Sequence, residues 1–261
     1  MPEQNRALEE IAVRLCHTLA EYELCVELEQ ATWGEDVVVP STIFVVAQHT
    51  GGQIIGAFDG AKMVGFTLAL PGVRDGQPFL HSHMTAVAAA YRDRGVGRRL
   101  KLFQRYEALK RGIHLVEWTF DPLEIKNAYF NLVRLGAVAR RYIQNCYGFT
   151  ESPLHAGLPT DRLVAEWWLD SDRVKNILAD NPPALAGPMA RVSLPANIGE
   201  IRASDREEGA RHQARARDQF QKFFRAGCAA TGLETPGPTA DYILEPIASL
   251  AGLKLPAFDE D

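Results

Sequence analysis

The sequence predicts a mixed α+β fold, with a mostly antiparallel sheet flanked by helices, and two patterns indicate it. Residues 53–58 and 62–70 are rich in β-forming side chains and flank Asp59-Gly60, a dipeptide typical of tight hairpin turns. Residues 96–110 instead repeat apolar side chains at helical spacing. Strands and helices are therefore expected in the same domain.

The composition is that of a soluble globular protein. The chain has 261 residues, 46% hydrophobic and 23% charged, enough for one large domain or two small ones. Its net charge of −5 disfavours nucleic acid as a partner. We see no apolar run of ~18 residues for a membrane span and no signal-peptide pattern in the first ten residues. A cytoplasmic protein without a membrane partner is expected.

The four cysteines are widely spaced and form no C-x-x-C pair. This usage fits a reducing compartment and argues against structural zinc, so we predict no metal site.

The first third of the chain is expected to form one strand, one helix and a hairpin. Residues 11–15 read as a short strand, and Thr18 stands three residues before Glu21, the spacing of a capping box that starts a helix. Gly65, inside the second hairpin strand, is expected to mark a bulge. Residues 71–78 are predicted to be a loop that leads into a strand at 80–88.

The middle of the chain alternates between helix and strand. In the helix at 96–110, apolar positions form a stripe and the basic side chains are placed on the other faces: Arg98, Lys101, Arg105 and Lys110. Residues 114–120 read as a strand. Residues 121–136 read as a helix with Pro122 near its start and Gly136 past its end, and residues 137–148 and 161–170 alternate like strands.

We predict a first domain at 1–178, a proline-rich linker at 179–188 and a C-terminal β-α-β-β subdomain at 189–261. The subdomain of roughly seventy residues is marginal alone by surface-to-volume scaling. It is therefore expected to pack on the first domain.

The stretch at 92–98, "RDRGVGR", predicts an anion-binding loop. Gly95 and Gly97 lie where a strand meets a helix, so free backbone amides and the positive end of the helix dipole point the same way. Arg92, Arg94 and Arg98 add positive charge, which suits a diphosphate. The alternative is a glycine-containing turn with solvated arginines. The P-loop and dinucleotide fingerprints do not fit.

This stretch resembles the acyl-CoA loop of the GNAT superfamily of N-acetyltransferases, whose signature is [RQ]-x-x-G-x-[GA]. Arg92, Gly95 and Gly97 fill its three places, with Val87 and Leu100 at the flanking strand and helix positions. The order of elements over residues 11–169 is similar to that fold as well. "WTFDPL" and "LPTDRL" resemble an uncharacterised bacterial branch that carries a C-terminal extension.

The resemblance implies a splayed central sheet and acetyl-CoA, or another acyl-CoA, as the cofactor. The diphosphate would bind the backbone amides of the loop, namely Arg92, Asp93, Arg94, Gly95, Val96, Gly97 and Arg98. The pantetheine arm would pair with the strand near Ala86 and Val87, and Asn127 resembles an asparagine that bonds to it. The tyrosine that many members use as a general acid is replaced by Leu132, so Tyr142, another tyrosine or water would protonate the thiolate.

The family resemblance also implies a general base at His83. The position four before the strand valine commonly holds an acid in the family, and a histidine there titrates near neutrality, as removing a proton from an ammonium group requires. His81 shares its strand face and could orient the substrate. The alternatives are a hydrogen-bonded histidine pair with a structural role and, since the motif is H-x-H, a metal site.

Other substrate-side candidates are Glu117, which could act as a base through water, and Arg162, which could hold a substrate carboxylate. We therefore predict an acyltransferase that acts on an amine of an unidentified small molecule. A non-catalytic acyl-CoA-binding or assembly protein is the alternative, and a homodimer is compatible with either.

Overall fold

The structure is a computed structural model that describes residues 11–34, 38–148, 157–183 and 190–250. It contains two units, Met1–Trp118 and Thr119–Asp261, each with its own set of strands and helices. No helix in the described parts of the chain is long and apolar enough to cross a membrane.

Unit 1 contains a strand, two helices, a three-stranded meander and a third helix before β5. Its elements are β1 (Ala12–Leu15), α1 (Leu19–Trp33), α2 (Ser41–His49), β2 (Gln53–Asp59), β3 (Lys62–Arg74), β4 (Gln77–Val87), α3 (Val96–Lys110) and the start of β5 (Leu115–Phe120). The strand order is β1-β2-β3-β4-β5. Neighbours are antiparallel from β1 to β4, and β5 is parallel to β4.

The helices of unit 1 pack on both faces of this sheet, because apolar side chains of β2 point to both sides. Ile54 packs in one apolar cluster with Phe44 of α2, while its neighbour Ile55 packs in another with Val96 and Leu100 of α3. Adjacent strand residues point to opposite faces, so α3 covers one face of the sheet and α2 the other.

Local signals predict the ends of several elements correctly. The capping box forms at α1, where the Glu21 amide donates to Thr18 Oγ1 at 3.3 Å and the Thr18 amide donates to Glu21 Oε2 at 3.1 Å. The β2–β3 register shifts between Ala57 and Phe58, beside Gly65, which confirms the bulge there.

The loop predicted at 71–78 is wrong. These residues extend β3 and β4 into a long hairpin that closes through Arg74 opposite Gln77. Asp75 and Gly76 form the two-residue turn with φ of 51° and 72°. Two left-handed residues match the twist of paired strands, so the proline and glycine content of this segment does not interrupt pairing.

Unit 2 contains the remaining strands and four short or medium helices among its described residues. Its elements after β5 are α4 (Ile125–Tyr129), β6 (Val138–Ile143), β7 (Arg162–Trp168), α5 (Asp172–Leu178), β8 (Ala190–Pro195), α6 (Ile198–Ser204), α7 (Arg206–Arg225), β9 (Cys228–Glu234) and β10 (Thr239–Pro246). The strand order is β7-β6-β9-β10-β8. The pairings recorded within this unit are all antiparallel.

The helix predicted at 121–136 divides in two. α4 ends at Tyr129 and continues as a wider π-helical turn, Phe130–Arg134, before Gly136 reverses the chain with φ of 78°. Residues 184–188 of the predicted linker lie outside the described residues. The last strands pair with β6, at Ala139 opposite Ala230, so the predicted subdomain shares a sheet with β6 and β7.

Candidate functional site

The two histidines lie on β4 at a break in its pairing with β3. Leu68 pairs with Met84 and Ala69 pairs with Ser82, so His83 is the extra residue of a β-bulge. The His81 and His83 ring centroids are 6.4 Å apart. The bulge therefore leaves the two imidazoles next to each other, as their spacing predicts.

His83 has the properties of a base at neutral pH. Its side chain is exposed, but the protein atoms around it exclude enough solvent to lower the pKa of the ring from 6.5. Desolvation disfavours the charged imidazolium. The ring is therefore mostly neutral at pH 7 and has a nitrogen lone pair available.

β4 and β5 separate immediately beyond His81. Their recorded pairing consists of Leu80 opposite Val116 and His81 opposite Glu117. The backbone of residues 82–87 continues to pair with β3 on its other side, through contacts such as Phe66 with Ala86 and Gly65 with Val87. The strand edge next to β5 thus offers amides and carbonyls to an extended ligand.

The predicted anion loop connects the open end of β4 to α3. Asp93 and Gly95 adopt left-handed φ angles of 58° and 80°, and no side chain caps the helix that begins at Val96. The first intrahelical bond runs from the Arg99 amide to the Gly95 carbonyl at 3.0 Å. The amides that precede Arg99 in the first turn consequently point out of the helix end, as in anion sites.

Gly97 leaves open space above this loop. A Cβ built at Gly97 would meet only Val87 Cγ2, at 3.9 Å, and its φ is not left-handed. Neither packing nor backbone conformation within the chain therefore requires glycine there, whereas a ligand that approaches the backbone would.

Three arginine side chains of the loop differ in their contacts. Arg92 Nε donates to the Val87 carbonyl at 3.1 Å, and Arg94 is exposed. Arg98 Nε is buried without a hydrogen-bond partner in the described residues. An unpaired buried guanidinium nitrogen, open amides and a vacant space above Gly97 together fit a diphosphate.

Glu117 is buried and held by a hairpin residue. Arg74 donates to both of its oxygens, at 2.5 and 2.9 Å, and the Arg74 guanidinium also lies 4.7 Å from the centroid of the Phe79 ring. Such a bidentate pair fixes the carboxylate. The contacts of Glu117 therefore attach the β3–β4 hairpin to β5.

The prediction that Lys101 lies on a polar face of α3 is wrong. Its side chain is buried and its Nζ donates to Ser82 Oγ at 2.8 Å and to Gln104 Oε1 at 3.1 Å. The same amine lies 4.0 Å from the centroid of the Trp118 ring. Burial lowers the pKa of Lys101 to about 7.

Three predicted site residues belong to unit 2. Tyr142 donates to Asp161 Oδ2 at 2.7 Å and stacks on Phe220, and burial and that bond raise the pKa of its phenol. Arg162 is buried, donates to the Asp161 carbonyl at 2.9 Å and lies 5.4 Å from the Tyr147 ring centroid. Both side chains thus have structural contacts of their own.

Asn127 lies exposed on α4, where its Oδ1 accepts a bond from Asn131 Nδ2 at 3.3 Å. Leu132, at the usual tyrosine position, is fully buried in the core. Among the described residues, no three histidine, cysteine, aspartate or glutamate side chains are grouped as in a metal site.

Solved structures share this fold at low sequence identity. A putative acetyltransferase from Salmonella typhimurium, with its cofactor acetyl-CoA, is 16% identical at a TM-score of 0.50 over 62% of this chain and 95% of that one. The protein smu.2055 from Streptococcus mutans UA159 is 21% identical at 0.50, over 61% and 99%. A putative GNAT-family acetyltransferase from Desulfovibrio desulfuricans is 14% identical at 0.48, over 61% and 99%.

No protein-family model matches the chain, and no curated protein matches it. The structural matches cover nearly all of the other proteins and leave more than a third of this chain outside. At these identities the likeness establishes the fold, and the chain has the fold of the GNAT superfamily of acetyltransferases.

Proposed function

We propose that this protein transfers an acetyl or other acyl group from acyl-CoA to an amine of a small molecule. One observation carries the proposal: the open amides of the α3 loop lead directly into the unpaired edge of β4, and that edge ends at His81 and His83. A diphosphate at the loop and an extended arm along residues 82–87 would deliver a thioester to the histidines.

The residues of unit 1 then have distinct roles. The loop amides and Arg98 would bind the diphosphate, and the backbone near Ala86 and Val87 would pair with the pantetheine arm. His81 would orient the substrate, and His83 would accept a proton from its ammonium group. A strand amide near Val87 would donate to the developing oxyanion.

Bound acyl-CoA supplies the activated thioester. The ammonium group would first give one proton to His83, which releases it to solvent. The neutral amine nitrogen would then form a bond to the acyl carbon as the carbon–sulfur bond breaks, and the second proton lost by the nitrogen would balance the one that the thiolate gains. The thiolate must then gain a proton. We assign this step to water, because Tyr142, the predicted acid, already donates to Asp161.

A second candidate is a non-catalytic acyl-CoA-binding protein. The observation in its favour is that Leu132 occupies the usual acid position and is buried in the core. This candidate predicts tight binding without turnover. A homodimeric state is compatible with either candidate, and a cytoplasmic location is a prediction from the sequence.

The first test is calorimetric titration of the full chain with acetyl-CoA, beside Gly97→Trp. Gly199→Trp is the matched control, since a Cβ at Gly199 meets no atom within 4 Å and one at Gly97 meets only Val87 Cγ2, at 3.9 Å. We expect micromolar binding in the wild type and the control, and its loss in Gly97→Trp. An amine screen with His83→Ala then separates the enzyme from the binding protein.

Equal binding by Gly97→Trp and the wild type would contradict the placement of the diphosphate. No binding of acetyl-CoA, CoA or a longer acyl-CoA by the wild type would contradict the proposed function altogether.

A further inference from the structure

Lys101 contacts β4 and β5 at the point where they part. The last paired residues are His81 and Glu117, and the next residue on each strand is Ser82 and Trp118. Lys101 Nζ donates to Ser82 Oγ at 2.8 Å and lies 4.0 Å from the Trp118 ring centroid. One amine from α3 therefore contacts, on each strand, the residue that follows the last recorded β4–β5 pair.

The same bond helps to fix the bulged residue. His83 has Ser82 on one side, held by Lys101, and Met84 on the other, whose carbonyl accepts a bond from Thr67 Oγ1 at 2.9 Å. A bulge breaks the regular ladder and leaves its extra residue unpaired. Side-chain bonds therefore hold the residues on both sides of His83.

We propose that Lys101 is a positioning residue, which fixes the point where β4 and β5 separate and so holds His83 in place for acyl transfer. The role of Lys101 in acyl transfer rests on the proposed function, whereas its contacts with Ser82 and Trp118 do not depend on that function. Lys101 does not touch the reacting atoms in this assignment. It acts through Ser82.

A structural role alone would not favour a lysine here. Its amine is buried without a carboxylate partner in the described residues, and burial lowers its pKa to about 7. An apolar side chain of similar length would avoid the cost of desolvating the amine. A buried amine can hold a hydrogen-bond acceptor in one place, which an apolar side chain cannot do, and Ser82 Oγ is such an acceptor.

The other charged groups around the cluster have their own partners. The remaining buried acidic or basic side chains described in unit 1 are the carboxylates Glu29, Glu107 and Glu117. Glu29 accepts a bond from the Val39 amide, and the other two carboxylates pair with Lys110 at 3.8 Å and with Arg74 at 2.5 Å. His81 and His83 are the titratable groups on β4. A change at Lys101 is therefore expected to be detected most directly at His83.

The test uses Lys101→Met and Ser82→Ala, which remove the bond from its two ends, with Lys110→Met as the control on the same helix. The ring signals of His83 are followed by NMR as a function of pH and assigned with His83→Ala. We expect both test variants to shift the His83 titration by about half a pH unit or more, and the control to leave it unchanged.

Kinetics on an amine found in the screen supply the second readout. Lys101→Met and Ser82→Ala are expected to lower kcat about tenfold while the KM for acetyl-CoA stays within about twofold, since a displaced base slows the reaction without affecting the diphosphate site. Ser82→Ala is a small change, so the test remains decisive if Lys101→Met folds poorly.

An unchanged His83 titration in both variants would overturn the inference, whatever the kinetics show. Failure of the proposed function would be seen separately, as a wild type that binds no acyl-CoA. That result would refute the proposed acyl transfer, and the histidine titration would still decide whether Lys101 positions His83.

Discussion

Replacement of Lys101 by methionine is expected to change how stability depends on pH. Burial lowers the pKa of Lys101 from 10.5 to about 7, while the unfolded chain regains the ordinary value. Between these two values the unfolded state binds a proton that the folded state lacks. Stability therefore rises with pH across this window, and the full penalty applies below pH 7.

The magnitude follows from the two pKa values. Each pH unit well inside the window changes the free energy of unfolding by ~1.4 kcal/mol. At pH 7 about half of the folded molecules still carry the proton on Lys101, so the first unit contributes less. Between pH 7 and pH 9 the total is about 2 kcal/mol.

Methionine has a similar length and does not titrate, so Lys101→Met should lack this gain. The variant also loses two hydrogen bonds, to Ser82 and Gln104. At any single pH, the change in the free energy of unfolding is therefore the sum of the lost hydrogen bonds and the relieved cost of burying the amine. The difference between wild type and variant is the quantity to follow. It should shift by about 2 kcal/mol in favour of the wild type from pH 7 to pH 9.

Urea unfolding followed by tryptophan fluorescence at pH 7, 8 and 9 measures this difference. The other groups are expected to cancel, because His83, whose titration should differ between the two proteins, has a pKa lowered from 6.5 and titrates below this pH range. Lys110→Met is the control for the loss of a lysine charge from α3, since Lys110 is exposed at the end of that helix. A difference between wild type and Lys101→Met that stays constant from pH 7 to pH 9 would refute the burial argument.

The remaining predictions concern the histidine, the buried ion pair and the tyrosine. His83→Ala should lower the acyl-transfer rate by about 10²–10⁴-fold, and the wild-type rate, measured from pH 5 to 9, should fall only below pH 6.5, where the imidazole gains its proton. Arg74→Met should lower the free energy of unfolding by about 3 kcal/mol in urea, more than Glu117→Gln does, because it removes the bidentate cationic partner of a buried carboxylate. Tyr142→Phe should cost ~1 kcal/mol of stability through the lost bond to Asp161 and leave the initial rate unchanged; a large loss of rate would restore Tyr142 as the acid.

Elements with local signals could be predicted from the sequence. The capping box of Thr18, the turn after Asp59 and the glycine-arginine loop each depend on a few neighbouring residues. The cap and the loop form where expected, and the turn is shifted by one residue, to Gly60 and Ala61, because Asp59 pairs with Lys62. The hairpin at Asp75-Gly76 contains an equally local signal. The sequence nevertheless indicates a loop there, because nearby prolines and glycines disfavour strands in general, although they are tolerated at strand ends.

α2, which has no side-chain cap at its start, was not predicted at all. Its segment, STIFVVAQH, is short, apolar and rich in β-branched residues, which favour strands locally. Phe44 and Ala47 are nevertheless buried against the sheet of unit 1. Tertiary packing decides the conformation of this segment.

The burial of Lys101 shows a different limit, because it depends on two elements that must be known together. The buried positions of α3 include Leu100, Gln104 and Ala108, and Lys101 lies three residues before Gln104 on the same stripe. A helix pattern alone assigns such a lysine to solvent. Only the register of β4, which places Ser82 beneath α3, supplies the acceptor that makes a buried amine stable there. The same register places His83 on the bulge, so the position of the proposed base and the burial of Lys101 have one structural cause.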